Sequence, residues 1–370
     1  MSENLNWKKC YRNDNCIDFS CIVLAYSNGA NDNFKGVATL FGSGSVRVIQ
    51  RRVRWATVTT FLGCIAAIFI AQGLIKNFSG KGLIPDEALK SPALAIAVAA
   101  GAAGTVFLAT KTGIPISTTH AIVGALTGAG FMAVGNALHL EQLTDTFLRP
   151  LLLSPLIACV ASMILYLLFR FIRLWLKIEK DTTLQMTGRP DGKEHFIAPA
   201  LEISREQYTG SIVGISAQKI LDALHFLSAG AVGFARGLND APKIAGLLLL
   251  VPFLQVPSML IAIAVVMAVG GLVNAKKVGE TMSKKITTMN SGQGFTSNLV
   301  TAILVSTASI SGLPVSTTHV SVGGIFGIGI VNKKADYRTI SKILLSWVLT
   351  LPAAAILSAL IYLILQKFIK

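Results

Sequence analysis

Two short segments each occur twice in this chain, in the same order and at nearly the same spacing, and each copy stands inside an apolar stretch. Residues 26–36 read YSNGANDNFKG and residues 234–244 read FARGLNDAPKI, so Gly29, Asn31, Asp32 and Lys35 recur as Gly237, Asn239, Asp240 and Lys243. Residues 113–124 read GIPISTTHAIVG and residues 312–323 read GLPVSTTHVSVG, repeating Pro115, Ser117, Thr118, Thr119 and His120 as Pro314, Ser316, Thr317, Thr318 and His319. The offsets are 208 and 199 residues, and glycines 113, 124, 128 and 130 return at 312, 323, 327 and 329. Chance likeness between apolar segments does not keep order and spacing together, so the chain reads as a duplicated unit.

Ten apolar runs surround these motifs, at about 17–41, 55–75, 93–110, 114–134 and 147–176, then 220–250, 256–275, 294–310, 313–331 and 341–368. With 52% hydrophobic and 14% charged residues, this composition does not describe a water-soluble globule. A span takes about 20 apolar residues, so there is room for roughly ten crossings, and the runs lack the period-two alternation of a β-barrel. Five crossings per copy is odd, so the second copy enters from the opposite side. The expected fold is an all-α polytopic membrane protein of two inverted-topology repeats of about five segments each, with broken or re-entrant helices at the midplane.

The expected organisation is a polar amino-terminal tail over 1–16, a first repeat over 17–176, a cytoplasmic linker over 177–219 and a second repeat over 220–370. The +15 net charge sits in short clusters between runs, which argues against nucleic acid and for cytoplasmic loops. Arg47, Arg51, Arg52 and Arg54, the linker, Lys276, Lys277, Lys284 and Lys285, and Lys333, Lys334, Arg338 and Lys342 all fall on one side of that topology. The tail, with Lys8, Lys9 and Arg12, is the exception. No cleavable signal peptide is expected before the first run, and the five cysteines form neither a CxxC nor a disulfide pattern.

An ionised carboxylate in hydrocarbon costs several kcal/mol unless paired, so Asp32 and Asp240 need a reason to be there. Together with Asn31 and Asn239 they supply hard oxygen ligands suited to Na⁺ or a proton, and Gly29 and Gly237 are expected to let the helix break so that carbonyls join them. Pro242 is expected to end its helix early. The PxSTTH segments read as helix amino termini, whose free N–H groups and hydroxyls at Ser117, Thr118, Thr119, Ser316, Thr317 and Thr318 suit a tetrahedral oxyanion without a buried full positive charge. Lys35, Lys243 and Arg236 are candidates to pair with the carboxylates or contact the anion. His120 and His319 read as hydrogen-bonded structural histidines or proton-linked groups; a serine hydrolase is disfavoured because no acid recurs beside them.

These residues resemble those of the inorganic phosphate transporter (PiT) family, whose hallmark is a duplicated GANDxx segment with a duplicated PxSTTH segment. The resemblance covers both halves and implies a symporter, not an enzyme, in the cell membrane, importing inorganic phosphate with Na⁺ in many members and H⁺ in others. It implies cation sites lined by Asn31, Asp32, Asn239 and Asp240, with Asp32 and Asp240 as the Na⁺ ligands. Phosphate would lie among Ser117 to Thr119 and Ser316 to Thr318. No cofactor is expected beyond the co-transported Na⁺ or H⁺. The expected partners are phosphate, the coupling ion and the lipid bilayer, with a homodimer left open. A carrier of another oxyanion such as sulfate is the alternative; a passive channel gives the carboxylates no purpose.

Overall fold

The ten apolar runs fold as ten long helices in the computed structural model, which describes residues 2–43, 49–185, 203–249, 255–274 and 289–368. They are α1 (Ser2–Asp32), α2 (Ile49–Ile70), α3 (Pro92–Thr112), α4 (Thr118–Val134), α5 (Arg149–Trp175), α6 (Ala217–Leu248), α7 (Val256–Asn274), α8 (Ser291–Ile310), α9 (Thr317–Val331) and α10 (Tyr337–Phe368). Residues 2–16, expected as a tail, are the first turns of α1. The loop lysines 276, 277, 284 and 285, Arg47, and linker residues 186–202 lie outside the described residues.

Among the described residues, six helical stretches are long and apolar enough to cross a membrane: Arg52–Ile70, Pro92–Thr112, Thr118–Ala137, Leu140–Trp175, Val256–Asn274 and Tyr337–Phe368. The other four of the expected ten differ for physical reasons. α1 and α6 carry the charged motif, α8 begins with the polar stretch SGQGFTSN, and the 15 residues of α9 reach only about 22 Å at 1.5 Å per residue. By contrast, α5 buries the single stripe Leu151, Ser154, Ala158 and Ser162 and presents apolar side chains such as Leu156, Ile164 and Phe171 outward, as a lipid-facing helix must.

The helices pack in reciprocal pairs. α4 lies on α10 and α9 on α5; α1 lies on α7 and α6 on α2; α1 also meets α3 as α6 meets α8. Each first-half contact therefore has a second-half counterpart with the roles exchanged. The repeated glycines make these crossings close: a Cβ at Gly124 would overlap the Leu351 carbonyl oxygen and one at Gly323 that of Pro155, while Gly29 abuts Met267 and Gly237 abuts Thr60.

That last pair corrects the sequence expectation. Gly29 and Gly237 lie within continuous helix and serve close packing, so neither breaks its helix. The α-helix gives way only after Asp32, to a 3₁₀ stretch over Asn33–Val37, and only in the first half. Nor does Pro242 end α6, which continues to Leu248; the cost of an interior proline, about 3 kcal/mol, is offset by burial of every residue from Ala235 to Leu248.

The linker also departs from a plain solvated loop. β1 (Glu179–Gln185) and β2 (Ile203–Thr209) pair antiparallel, from Glu179 opposite Thr209 to Gln185 opposite Ile203. Glu206 on β2 binds Lys180 at 2.6 Å and Lys334 at 2.8 Å and accepts from Asn290 Nδ2 at 2.9 Å. Partial burial alone would raise its pKa, but those hydrogen bonds and the Lys180 charge outweigh that and hold the carboxyl at about 2.

Candidate functional site

α3 and α8 end alike, on glycines in the left-handed region: Gly113 at φ 77° and Gly312 at φ 71°. The chain then runs extended through Ile114–Ile116 and Leu313–Val315. It turns into α4 and α9 at two serine caps: Ser117 Oγ accepts from His120 N at 3.1 Å and Ser316 Oγ from His319 N at 3.3 Å. Pro115 and Pro314 belong to the extended stretches, two residues before the caps. Two helix amino termini are thus built from equivalent residues.

These two termini face one another. Thr119 Oγ1 donates to Val315 O at 3.2 Å and Thr318 Oγ1 donates to Ile116 O at 3.0 Å, so each PxSTTH segment holds the other's backbone. The histidines meet as well, with ring centroids 4.4 Å apart and edge to face. His120 Nδ1 pairs with Trp347 O at 3.1 Å and His319 Nδ1 with Leu151 O at 3.2 Å; a carbonyl only accepts, so both rings carry their proton on Nδ1. His319 also stacks on Trp347 at 3.7 Å between centroids.

Beside them lies a cluster of buried charge. Lys35 Nζ binds Asp32, donates to Ile116 O at 3.0 Å and reaches Thr318 Oγ1 in the other half. Lys243 Nζ mirrors it, 3.5 Å from Asp240 Oδ1, 2.6 Å from Val315 O and 2.7 Å from Thr119 Oγ1. Each lysine therefore joins its own carboxylate to a hydroxyl of the opposite half. Arg236 lies 3.6 Å from Asp240 and donates through Nη2 to Asn28 Oδ1 at 2.8 Å and through Nη1 to Asn33 Oδ1 at 3.1 Å. Asn28 Nδ2 is within reach of Thr118 Oγ1 at 3.0 Å, Asp240 Oδ2 at 3.3 Å and Asp32 Oδ2 at 3.4 Å.

All of these side chains are at most 3% exposed, so the cluster's balance matters. In their ordinary ionised forms three cations face two carboxylates, which leaves one positive charge in excess. That excess, two helix amino termini and the surrounding hydroxyls all favour an anion. It also corrects the expectation that no full positive charge is buried beside the hydroxyls.

Of the expected site residues, Asp32, Asp240, Thr118, Thr119 and Thr318 come together here, and Thr317 is buried at the first position of α9. Ser117 and Ser316 serve as caps. Asn31 and Asn239 bind the ends of α3 and α8 and the extended segments: Asn31 Nδ2 donates to Thr110 Oγ1 at 3.1 Å and Ile114 O at 3.2 Å, while Asn239 Nδ2 donates to Asp240 Oδ1 at 3.0 Å and Val315 O at 3.2 Å and its Oδ1 accepts from Ser309 Oγ at 3.2 Å. Asn28, Asn33, Thr110 and Ser309 escaped sequence reasoning. A signal existed for Asn28, since 28, 32 and 35 stand at i, i+4 and i+7, as 236, 240 and 243 do. Among the described residues no group of three or more His, Cys, Asp or Glu is placed to hold a metal ion.

Residues 28–358 match the phosphate transporter family. A candidate phosphate permease of Thermococcus kodakarensis is 28% identical over 93% of this chain and 95% of its own length. A candidate low-affinity inorganic phosphate transporter of Bacillus subtilis is 27% identical over 93% of this chain and 95% of its own. Among solved structures, one described as the sodium-dependent phosphate transporter shares the fold, with a TM-score of 0.77 at 22% identity over 96% of this chain and 99% of that one.

Proposed function

Since the chain belongs to the phosphate transporter family and is an integral membrane protein rather than an enzyme, we propose that it imports inorganic phosphate across the cell membrane by symport with Na⁺. The observation that carries this reading is the buried cluster in which Asp32–Lys35 and Asp240–Lys243 pairs meet two helix amino termini, one from each half. The similar solved structure is that of a transporter described as sodium-dependent, which favours Na⁺ over H⁺ as the coupling ion.

Coupling follows from an exchange of partners. Phosphate entering between Thr118–Thr119 and Thr317–Thr318 draws the Lys35 and Lys243 ammonium groups toward itself, and the carboxylates they leave take up the coupling cation. With one positive charge already in excess, a cation alone would raise the excess to two and a dianionic phosphate alone would leave one negative charge, at a cost of about 3–5 kcal/mol, so the two bind best together. Asn31 and Asn239 position the extended segments and contribute to the cation sites once the lysines withdraw. The repeats 17–176 and 220–370 have inverted topology in this reading, with the broken helices at the midplane and the 177–219 linker in the cytoplasm. Exchange of conformations between them exposes the site to each side in turn.

The test is phosphate uptake into proteoliposomes under an inward Na⁺ gradient or an inward proton gradient at matched membrane potential, with sulfate as competitor. Accumulation driven by Na⁺ and undiminished by sulfate is expected. Accumulation under the proton gradient alone would reassign Asp32 and Asp240 as proton carriers.

A further inference from the structure

A cavity of about 1000 Å³ opens at the carboxyl end of α5, and none of its lining residues belongs to the charge cluster. Its volume is at the upper end of the roughly 300–1,000 Å³ that encloses drug-sized molecules. It is lined by Arg170 and Arg173, which stand at i and i+3 on one face of α5, and by Lys177, two residues beyond the end of that helix. The opposite wall is apolar, formed by Ile220, Leu221 and Leu224 of α6 and Phe295 of α8. Among the described residues no carboxylate lies within ion-pair distance of those three cations. Glu206, the nearby acid, is held by Lys180 and Lys334, which leaves Glu179 as the one acid on the lining.

The cavity sits where α5 passes from apolar to polar surroundings. Phe171, Leu174 and Trp175 are exposed as lipid-facing side chains, and the polar strand β1 begins four residues after Trp175. Tryptophan marks the headgroup level of a bilayer. A ligand matching three unpaired cations above an apolar wall, at that depth, is negatively charged at one end and hydrocarbon at the other.

We infer that this cavity binds one anionic phospholipid, its phosphate among Arg170, Arg173 and Lys177 and its chains against Leu221, Leu224 and Phe295. The lipid spans the end of α5 and the starts of α6 and α8, so it ties the two halves together beside their linker. This site stands independently of the transport reading.

Native mass spectrometry of the full-length protein, titrated with phosphatidylglycerol or phosphatidylcholine, tests it. The expected result is preferential retention of one phosphatidylglycerol, about tenfold or more, because three cations act together on one net negative headgroup. The combined R170Q, R173Q and K177Q variant should lose the preference while eluting as a folded protein. Leu224→Trp, which fills the apolar wall and keeps every cation, should also lower retention; it carries the test if the triple variant fails to fold. Glycerol phosphate and inorganic phosphate should not displace the lipid. Equal retention of the two lipids, an unchanged preference in the variants, or displacement by inorganic phosphate would each overturn the proposal.

Discussion

Asn28 and Arg236 hold the same position in the two copies of the motif, and in the folded protein they touch, Arg236 Nη2 donating to Asn28 Oδ1 at 2.8 Å. His120 and His319 are likewise equivalent and in contact. Equivalent residues of the two copies thus meet at two places. At one of them the symmetry is broken, with a neutral amide facing a cation.

That asymmetry is expected to be structural. Arg236→Met should lower stability by about 3–5 kcal/mol, because it leaves Asp240 short of a buried partner, and Asn28→Ala by about 1–3 kcal/mol. Arg236→Lys should not restore the wild-type value, since one ammonium cannot reach Asn28, Asn33 and Asp240 at once. Thermal unfolding in detergent reads all three, and full stability in Arg236→Lys would reject the bridging role.

Asp32→Asn and Asp240→Asn should each abolish gradient-driven phosphate uptake while the protein still reaches the membrane. Lys35→Met and Lys243→Met should raise the KM for phosphate by about tenfold or more, one lost charge-assisted contact being worth about 1.5–3 kcal/mol. Uptake by either aspartate variant at the wild-type rate would remove the carboxylates from the cation site.

Gly124→Val and Gly323→Val push a side chain into the carbonyls of Leu351 and Pro155. Overpacking of this kind costs about 1–3 kcal/mol, and more where the obstacle is backbone. Both variants should unfold earlier and by similar amounts, because the contacts are counterparts. A large effect in one and none in the other, measured by the loss of the monodisperse elution peak on heating, would contradict the reciprocal packing.

At the linker, Glu206 titrates at about 2 in the folded protein against an ordinary value of 4.5. A depressed carboxyl contributes stability that is present above the unfolded value and lost as pH falls through the folded one. Melting of wild type and Glu206→Gln should therefore differ most above pH 4.5 and converge as pH falls toward 2. A gap that stays constant over that window would show that Glu206 does not act through its charge.

Much of this was legible from the chain alone, for identifiable reasons. Apolar runs announce helices in any setting, and Ser117 and Ser316 announce caps because a hydroxyl just before a helix has one obvious use. Asp32 and Asp240 stood out because carboxylates are costly in such surroundings. What stayed hidden depends on who faces whom. Gly29 reads equally well as a hinge or as a contact point until Met267 is seen against it. Lys35 could be placed beside Asp32 by its spacing, but its reach to Thr318, 283 residues away, could not. The β1–β2 ladder escaped because its partners lie on either side of a long charged stretch and carry no common apolar alternation.

The reciprocal packing sets a timetable for making the protein. α4 emerges from the ribosome long before α10, the helix it rests against, and α5 must wait for α9. The first half cannot complete its contacts during its own synthesis, so its helices wait with small-residue faces uncovered. A nascent chain halted before Tyr337 would lack the partner of α4, which makes α10 the helix that closes the first half.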